Sequence, residues 1–264
     1  MTTTPHRSRW LRPLLLAANF VAPFSIILTE WHSPVVTSVA FLMHGLLLYS
    51  LVVPSCDWLA PVVTRFEPRG REVWLTIDDG LDGDRSVRLA QMLASRGVRA
   101  TFFVKGESIV RQPEPARAIL AAGQMLANHS HTHPAWLFWC LPRARMIREI
   151  GQCTEALQNA GAEPVGWFRP PAGLKNIFLA PELRRRGLRI IGWSVRGMDG
   201  VVCEPDAVIH RVTSAVKPGD IILVHEGKAD RRGKASSHDC IERLVEELTR
   251  AGFTFVIPDD EQLR

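Results

Sequence analysis

Two histidines four residues apart, His129 and His133, are the side chains in this sequence best spaced to bind one metal ion. On a helical turn, residues i and i+4 lie on one face, so both imidazoles could reach the same ion. Asp78 or Asp79 would add a carboxylate and complete a set of three protein ligands. Three ligands leave open positions for water and substrate, which is typical of a catalytic centre, and the other aspartate is then free to act as a base.

Neither of these two motifs is strong evidence by itself. A histidine-rich loop arises by chance, and Asp-Asp-Gly at 78–80 is also a common turn. His131 lies two positions from either histidine, so on a helix it would point away from the ion, and we interpret it as a structural residue. The case for chemistry therefore depends on where the surrounding elements place both motifs.

Alternating strand-like and helix-like segments must position these residues. Such an alternation indicates a parallel sheet, either open and doubly wound or closed into a barrel with about seven strands. In both folds, active sites gather at the C-terminal ends of the strands. The predicted strands are 72–77, 100–104, 124–128, 165–168, 188–193, 220–224 and 253–257, and the predicted helices are 86–96, 114–122, 143–160, 181–186, 205–216 and 238–251.

Ionisable residues recur where five of these strands stop. Because the carboxyl ends of parallel strands meet at one edge, we expect these side chains to lie close together. In chain order they are Asp78 and Asp79, His129 to His133, Arg169, Arg196 with Asp199, and His225 with Glu226.

Four short motifs in this order resemble those of the polysaccharide deacetylases, the NodB-homology domain of carbohydrate esterase family four. They are TIDDG at 76–80, HSHTH at 129–133, RPPAG at 169–173 and LVHE at 223–226, and the resemblance covers about residues 70–257. It implies an α/β fold, a distorted (β/α) barrel of about seven strands. It also implies an enzyme that removes N- or O-acyl groups from sugars with a divalent metal, usually Zn²⁺.

The resemblance also implies a role for each matched residue. Asp78 corresponds to the general base, and Arg169 to the arginine that orients this base. His225 corresponds to the general acid that protonates the leaving amine, and a backbone N–H near Ala172 would stabilise the oxyanion. The implied metal ligands are Asp79, His129 and His133.

Three positions depart from the family pattern. Leu81 stands where proline is usual, and Ala172 stands where an aromatic residue is common, so a sugar-stacking surface would be lost. Arg196 stands where many members carry an aspartate that tunes the acid histidine. An arginine there would lower the pKa of the histidine, whereas an aspartate raises it. Asp199 and Glu226 are the candidates to replace that aspartate.

The N-terminal part of the chain is strongly apolar. Residues 13–29 and 33–56 carry no charge, and only three residues between 29 and 33 separate the two runs. We expect a transmembrane helical hairpin over residues 1–56, a linker over 57–70 and the catalytic domain over 71–264. The alternative is a signal peptide followed by a core helix, but no small-residue cleavage site follows Ile27.

Positive charge predicts which side of the membrane the domain faces. Arginines 7, 9 and 12 precede the first span, arginines 65, 69 and 71 follow the second, and the link has no Lys or Arg. The positive-inside rule then places both ends in the cytoplasm of a bacterial-type inner membrane. Five cysteines without a CxxC spacing agree with a reducing compartment. A net charge of +5 is too small to favour nucleic acid as a partner.

The leading hypothesis is a hydrolase that removes an acetyl or formyl group from an amino sugar, plausibly linked to polyprenyl phosphate at the inner leaflet. The alternatives are a periplasmic O- or N-deacetylase of an envelope polysaccharide, and a non-catalytic, membrane-bound sugar-binding protein. The sequence leaves the sugar, the acyl group, the resident metal and the oligomeric state open.

Two further segments allow two interpretations each. Residues 136–141, WLFWCL, form either a buried loop or an apolar lip that enters the membrane interface beside the active site. The basic run at 228–234 is either a solvated loop or a contact for lipid phosphate.

Overall fold

A computed structural model describes residues 8–28, 33–199, 204–226 and 236–263. The basic run at 228–234 and the link between the two N-terminal helices lie outside these ranges. The α-helices are α1 Ser8–Leu28, α2 Pro34–Val52, α3 Asp84–Ser95, α4 Gly106–Arg111, α5 Pro113–Ala121, α6 Arg143–Asn159, α7 Leu179–Arg186, α8 Pro205–Ala215 and α9 Ser236–Arg250. The strands are β1 Val62–Val63, β2 Glu72–Gly80, β3 Ala100–Val104, β4 Met125–Asn128, β5 Trp167–Phe168, β6 Arg189–Ile191, β7 Val195–Arg196, β8 Ile221–His225 and β9 Thr254–Phe255.

All these strands belong to one parallel sheet. Its order is β1-β6-β5-β4-β3-β2-β8-β7, and β9 pairs with the beginning of β2. An isolated bridge joins Arg65, just after β1, to Asp220, just before β8, so the sheet curls back toward its far side. The curled parallel sheet with helices outside it confirms the predicted barrel-like α/β fold.

Burial explains why the central strands read as continuous apolar runs. Every residue of β3 is buried, as are the four residues of β8 before His225. Strands covered on both faces carry Val, Ile, Leu and Phe rather than an alternating pattern. A large cluster of buried side chains, including Leu75, Phe102 and Leu244, packs the sheet against the surrounding helices. This rigid frame fixes the strand ends where the polar motifs lie.

The predicted elements are recovered with shifted ends, and several short ones were missed. Strands β1 and β7 have two residues each, too few for a hydrophobic period to show, and α4 has six. The three-domain division stays a prediction, although β1 lies within the predicted linker and pairs with β6.

The N-terminal helices α1 and α2 lie against each other. Asn19 of α1 donates a hydrogen bond to the carbonyl of Met43 in α2 at 3.1 Å. Two membrane spans were predicted, but among the described residues only α2 is long and apolar enough to cross a membrane. The apolar stretch of α1, Leu11–Val21, is shorter than a bilayer requires. The described part of the chain therefore offers one candidate span beside a second, shorter apolar helix.

Candidate active site

A bulge at the end of β2 brings two consecutive carboxylates to one site. Successive side chains of a regular strand point to opposite faces, so Asp78 and Asp79 would normally separate. The pairing of β2 with β3 shifts register between Asp78 and Gly80, and Asp79 has a φ of 63°. The strand thus extends through the Asp-Asp-Gly motif instead of ending at residue 77 as predicted. The bulge brings Asp79 beside His133, while Asp78 lies beside His129.

The two histidines lie in an irregular loop, so the predicted helical turn is wrong. Ser130 and His133 have φ values of 66° and 52°, which no helix allows. Side chains hold this loop instead: the carboxylate of Glu149 accepts hydrogen bonds from the backbone N–H groups of His131 and Thr132, at 3.1 and 2.7 Å. Asn128 accepts one from the N–H of Ser130 at 2.9 Å. The loop still brings both imidazoles together, with ring centroids 4.7 Å apart.

Asp79, His129 and His133 form a set that could hold a metal ion. One possible ligand atom of each lies within 4.8 Å of the others. His129 Nδ1 is 2.8 Å from the carbonyl of Arg169, so it carries the proton and leaves the lone pair of Nε2 toward the carboxylates. His133 Nε2 is 3.5 Å from Asp79 Oδ1. A carboxylate with two imidazoles is a donor set that Zn²⁺ and related ions prefer.

The protonation states of His133 and Asp79 favour the binding of a metal cation. Burial, with a contribution from His129, lowers the pKa of His133 to about 4, so its imidazole is neutral at pH 7. Burial by itself would raise the pKa of Asp79, but the nearby imidazoles of His129 and His133 hold it below its ordinary value. A charged carboxylate beside the neutral imidazole of His133 is a state that can bind a divalent ion.

Arg169 fixes the position of Asp78. Its guanidinium is completely buried and donates from Nη1 to Asp78 Oδ1 at 2.6 Å. The carbonyls of Ile191 and Gly192 accept from Nε and Nη2, and Thr76 Oγ1 accepts from Nη1. Asp78 Oδ2 remains 3.6 Å from His129 Nε2, beside the candidate metal set. Asp78 is thereby held next to the position of an ion without belonging to its closest group of ligands.

His225 ends β8, where it lies in register with Asp78 of the neighbouring strand β2, and its partner is Asp199. The distance from His225 Nδ1 to Asp199 Oδ1 is 2.9 Å, and Asp199 also accepts from the backbone N–H of His225. Although burial lowers the pKa of His225, the hydrogen bond to Asp199 and the charges of Asp78 and Asp79 outweigh it and raise the pKa. The imidazole is therefore kept available as a proton donor.

The structure shows which carboxylate replaces the aspartate that the family pattern has at position 196. Arg196 is exposed on β7, and Asp199 supplies the carboxylate that accompanies the histidine. Glu226, the other candidate, is buried and pairs with His238 at 2.9 Å. Ala172 lies within the short 3₁₀ turn 171–173 but has a φ of 53°, a left-handed conformation that its Cβ makes unfavourable by roughly 1–2 kcal/mol.

Three polar residues that support the site were not predicted from the sequence. Glu149 and Asn128 hold the histidine loop, and Thr76 accepts a hydrogen bond from Arg169. Thr76 is the first residue of the TIDDG motif and Asn128 directly precedes the HSHTH motif, and these positions are the only signal the two residues give. Glu149 lies in the middle of α6, where it resembles any charged residue of a surface helix, yet it is buried.

Comparisons with known proteins agree with this geometry. A family model described as polysaccharide deacetylase matches residues 66–191. A chitooligosaccharide deacetylase of a Bradyrhizobium strain is 30% identical over 189 residues, which cover 71% of this chain and 84% of the relative. A peptidoglycan-N-acetylglucosamine deacetylase of Bacillus cereus is 27% identical over 188 residues, covering 70% of this chain and 66% of that protein.

Solved structures show the same fold. The family 4 carbohydrate esterase from Streptomyces lividans, in complex with acetate, superposes with a TM-score of 0.64 at 31% identity, covering 75% of this chain and 97% of that one. A family 4 pseudoenzyme from Bacillus anthracis superposes with a TM-score of 0.66 at 25% identity, covering 77% and 69%.

Proposed function

This chain belongs to the polysaccharide deacetylase family, and on that premise we propose that it hydrolyses the N-acyl group of an amino sugar with the help of a divalent metal ion. The observation that carries the proposal is that a possible metal set, the candidate base Asp78, the candidate acid His225 and their orienting partners converge at one end of the sheet. A site that only bound sugar would not need both an oriented carboxylate and a carboxylate-paired imidazole beside a possible metal set.

The residues present fit a divalent ion. We propose Asp79, His129 and His133 as its ligands, because their donor atoms converge and the second nitrogen of His129 is already engaged by a carbonyl. When bound, such an ion, most simply Zn²⁺, would polarise the acyl carbonyl and make water more acidic. The hydrogen bond from His129 to the carbonyl of Arg169 fixes the ring so that Nε2 faces the ion.

Asp78 is the proposed general base. Its Oδ1 is held by Arg169, so Oδ2 keeps one orientation and can accept the proton of the attacking water. The guanidinium of Arg169, at hydrogen-bond distance, also offsets the cost of burying this carboxylate as an anion. An aspartate without such a partner would be costly to bury as an anion.

His225 is the proposed general acid. An amine is a poor leaving group, so cleavage of the amide bond needs a proton at the sugar nitrogen. Asp199 binds Nδ1 of His225, which leaves Nε2 as the nitrogen that faces the opening and can donate this proton. Base and acid come from adjacent strands, since β2 pairs with β8 at the register Asp78 to His225.

We propose N-acetylglucosamine-type sugars as the substrate class, with an acetyl or formyl acyl group. The support is that the named relatives include chitooligosaccharide deacetylases and a peptidoglycan-N-acetylglucosamine deacetylase. A lipid-linked precursor is the finer proposal, because the apolar helix α2 lies in the same chain as the site. If the domain is instead periplasmic, an envelope polysaccharide becomes the substrate.

We propose that residues 1–56 anchor the protein in the inner membrane, with residues 71–264 as a cytoplasmic catalytic domain after a linker at 57–70. The support is the apolar composition of α2 and the arginines that flank the apolar region. A reporter fused after the last residue tests the side: a reporter active only in the cytoplasm supports the proposal, and one active only in the periplasm overturns it.

Variants of the acid and the base test the catalytic assignment. Acetate or formate released from N-acylated glucosamine oligomers is measured for Asp78→Asn and His225→Ala, which each remove one proton-transfer group. We expect losses of about 10²- to 10⁴-fold in kcat. The matched control is His210→Ala, which removes an exposed histidine of α8. Unchanged hydrolysis in both active-site variants would exclude this mechanism.

A further inference from the structure

The C-terminal end of α2 is fastened to the segment that follows Arg169. The side chain of Lys175 is completely buried, and its ammonium group donates to the carbonyls of Val53 and Pro54, at 2.6 and 3.3 Å. The backbone N–H of Lys175 donates to the carbonyl of Leu51 at 2.9 Å. These carbonyls end a helix, where a cation is favoured. The candidate span therefore ends directly against a loop of the active-site face.

The beginning of α1 reaches the same loop. Arg12 donates from Nη2 to the carbonyl of Ile177 at 3.2 Å. The first residues of α1 and the last residues of α2 thus meet the catalytic domain within three residues of each other, at 175 and 177. A bilayer that contains α2 would consequently have its surface at this loop.

The next residue, Asn176, joins this loop to the segment after the histidine motif. Its side-chain amide donates to the carbonyls of Phe138 and Leu141, at 3.1 and 3.0 Å. These carbonyls belong to a short 3₁₀ helix, Ala135–Cys140, and to the residue after it. Because Phe138 is completely buried, the segment is held firmly against the domain.

Two large apolar side chains project outward from this fixed segment. Trp136 is 78% exposed and Leu137 is 61% exposed, and they follow the candidate metal ligand His133 by three and four residues. Phe178 is 37% exposed on the loop that binds α2. We define Trp136, Leu137 and Phe178 as the apolar lip. Exposure of such side chains beside a rigid buried anchor typically marks an interaction surface.

We propose that the apolar lip contacts the lipid bilayer and holds the active-site opening at the level of the lipid headgroups. The lip continues the apolar surface of α2 across the contacts of Lys175 and Asn176, and it carries a tryptophan, which favours the membrane interface. This resolves the two interpretations of residues 136–141: Phe138 is the buried anchor, and Trp136 and Leu137 form the membrane contact.

The consequence for the substrate rests on the proposed function. An opening at headgroup level meets amino sugars that are carried on lipid phosphate in the membrane more readily than sugars free in solution. The lip lowers the KM for the membrane-borne sugar and leaves turnover of a soluble N-acyl oligosaccharide unaffected, since Trp136 and Leu137 hold no metal ligand or proton-transfer group.

Tryptophan quenching tests the membrane contact without relying on activity. The full chain is reconstituted into phosphatidylglycerol and phosphatidylethanolamine vesicles with and without brominated acyl chains. We expect bromine quenching to fall in Trp136→Phe, because a quenched tryptophan has been removed. Trp167→Phe is the matched control, since Trp167 is buried at the sheet. In this variant the fraction of tryptophan fluorescence that bromine quenches should stay constant or rise, because an unquenched tryptophan has been removed. An equal quenched fraction in wild type and Trp136→Phe overturns the proposal.

Kinetics test the consequence. In the double variant Trp136→Asp, Leu137→Asp we expect the KM for a lipid-linked N-acetylglucosamine in vesicles to rise roughly tenfold or more, corresponding to at least about 1.4 kcal/mol. The kcat on a soluble oligomer should stay within twofold. Val110→Asp on α4, an equally exposed apolar position, is the control. Equal losses of activity on both substrates would contradict the lipid contact, and so would crosslinking of Trp136 to a second copy of the chain. A wild-type protein that is inactive on both substrates would instead contradict the proposed function.

Discussion

The substitution Asp199→Asn removes the negative charge beside His225 and keeps a side chain of the same shape. In the wild type, His225 Nδ1 lies 2.9 Å from Asp199 Oδ1. The side-chain oxygen of asparagine can accept the same hydrogen bond, but it carries no charge. A hydrogen bond to a charged group contributes about 1.5–3 kcal/mol to the charged state. Losing that stabilisation of the protonated imidazole corresponds to roughly a 10- to 100-fold loss in kcat above neutral pH.

The sign of the pH effect follows from the direction of the shift. Asp199 raises the pKa of His225, so His225 stays protonated, and able to act as an acid, to a higher pH. Removing the charge lowers this pKa, and the limb on which kcat falls with rising pH should move to lower pH. The loss should therefore be smallest at acidic pH.

The assay is the kcat for release of acetate from an N-acetylglucosamine oligomer, measured across pH on the full chain. Arg196→Ala is the control, because Arg196 is exposed and the sequence motif alone would assign it influence on His225. We expect Arg196→Ala to leave the limb in place. If Asp199→Asn leaves the limb unmoved, or Arg196→Ala moves it, the assignment of Asp199 is refuted.

Three further predictions concern buried polar groups. Arg169→Met leaves the buried carboxylate of Asp78 without its ion-pair partner, so the free energy of unfolding in urea should fall by about 3–5 kcal/mol. A loss smaller than about 1 kcal/mol would contradict this expectation. Glu149→Ala removes the carboxylate that holds the histidine loop, and we expect metal affinity to drop about 10- to 100-fold. The affinity is measured by competition with a chelator, and Glu155→Ala, which changes an exposed glutamate of the same helix, should leave it unchanged. Burial lowers the pKa of Lys175 to about 8, so folding stability should rise between pH 8 and about 10.4, by up to about 3 kcal/mol, in the wild type but not in Lys175→Met. Parallel pH curves for the two proteins would contradict that reasoning.

The sequence predicted that most of the strands exist and that ionisable residues follow them, because both depend on local patterns, whereas the catalytic roles of those residues stay predictions. Continuous apolar runs predicted β3 and β8, and the polar residues after them predicted the opening where His225 lies. The path of the chain between those residues could not be predicted. The bulge at Asp79 depends on pairing with β3, and the histidine loop depends on Glu149, which comes from a distant helix.

The contact between α2 and the domain shows a second limit. Lys175 looks like an ordinary surface lysine in the sequence, and only the fold places its ammonium group on the carbonyls of Val53 and Pro54. The sequence offered Asp199 and Glu226 as equal candidates for the partner of His225, and only the fold shows that Asp199 makes the contact. In both cases the contacting residues are far apart in the sequence, and the hydrophobic periodicity of the sequence does not predict such a contact.

Metal content measured together with hydrolysis tests the central claim most directly. Purified full chain is stripped with a chelator, reconstituted with Zn²⁺, and compared with His129→Ala and His133→Ala for bound ion and for acetate or formate release from N-acyl glucosamine substrates. We predict one ion per chain, activity that is lost on stripping and restored by the ion, and neither in the two variants. Undiminished hydrolysis by the stripped protein, or by a variant that binds no ion, would contradict the account.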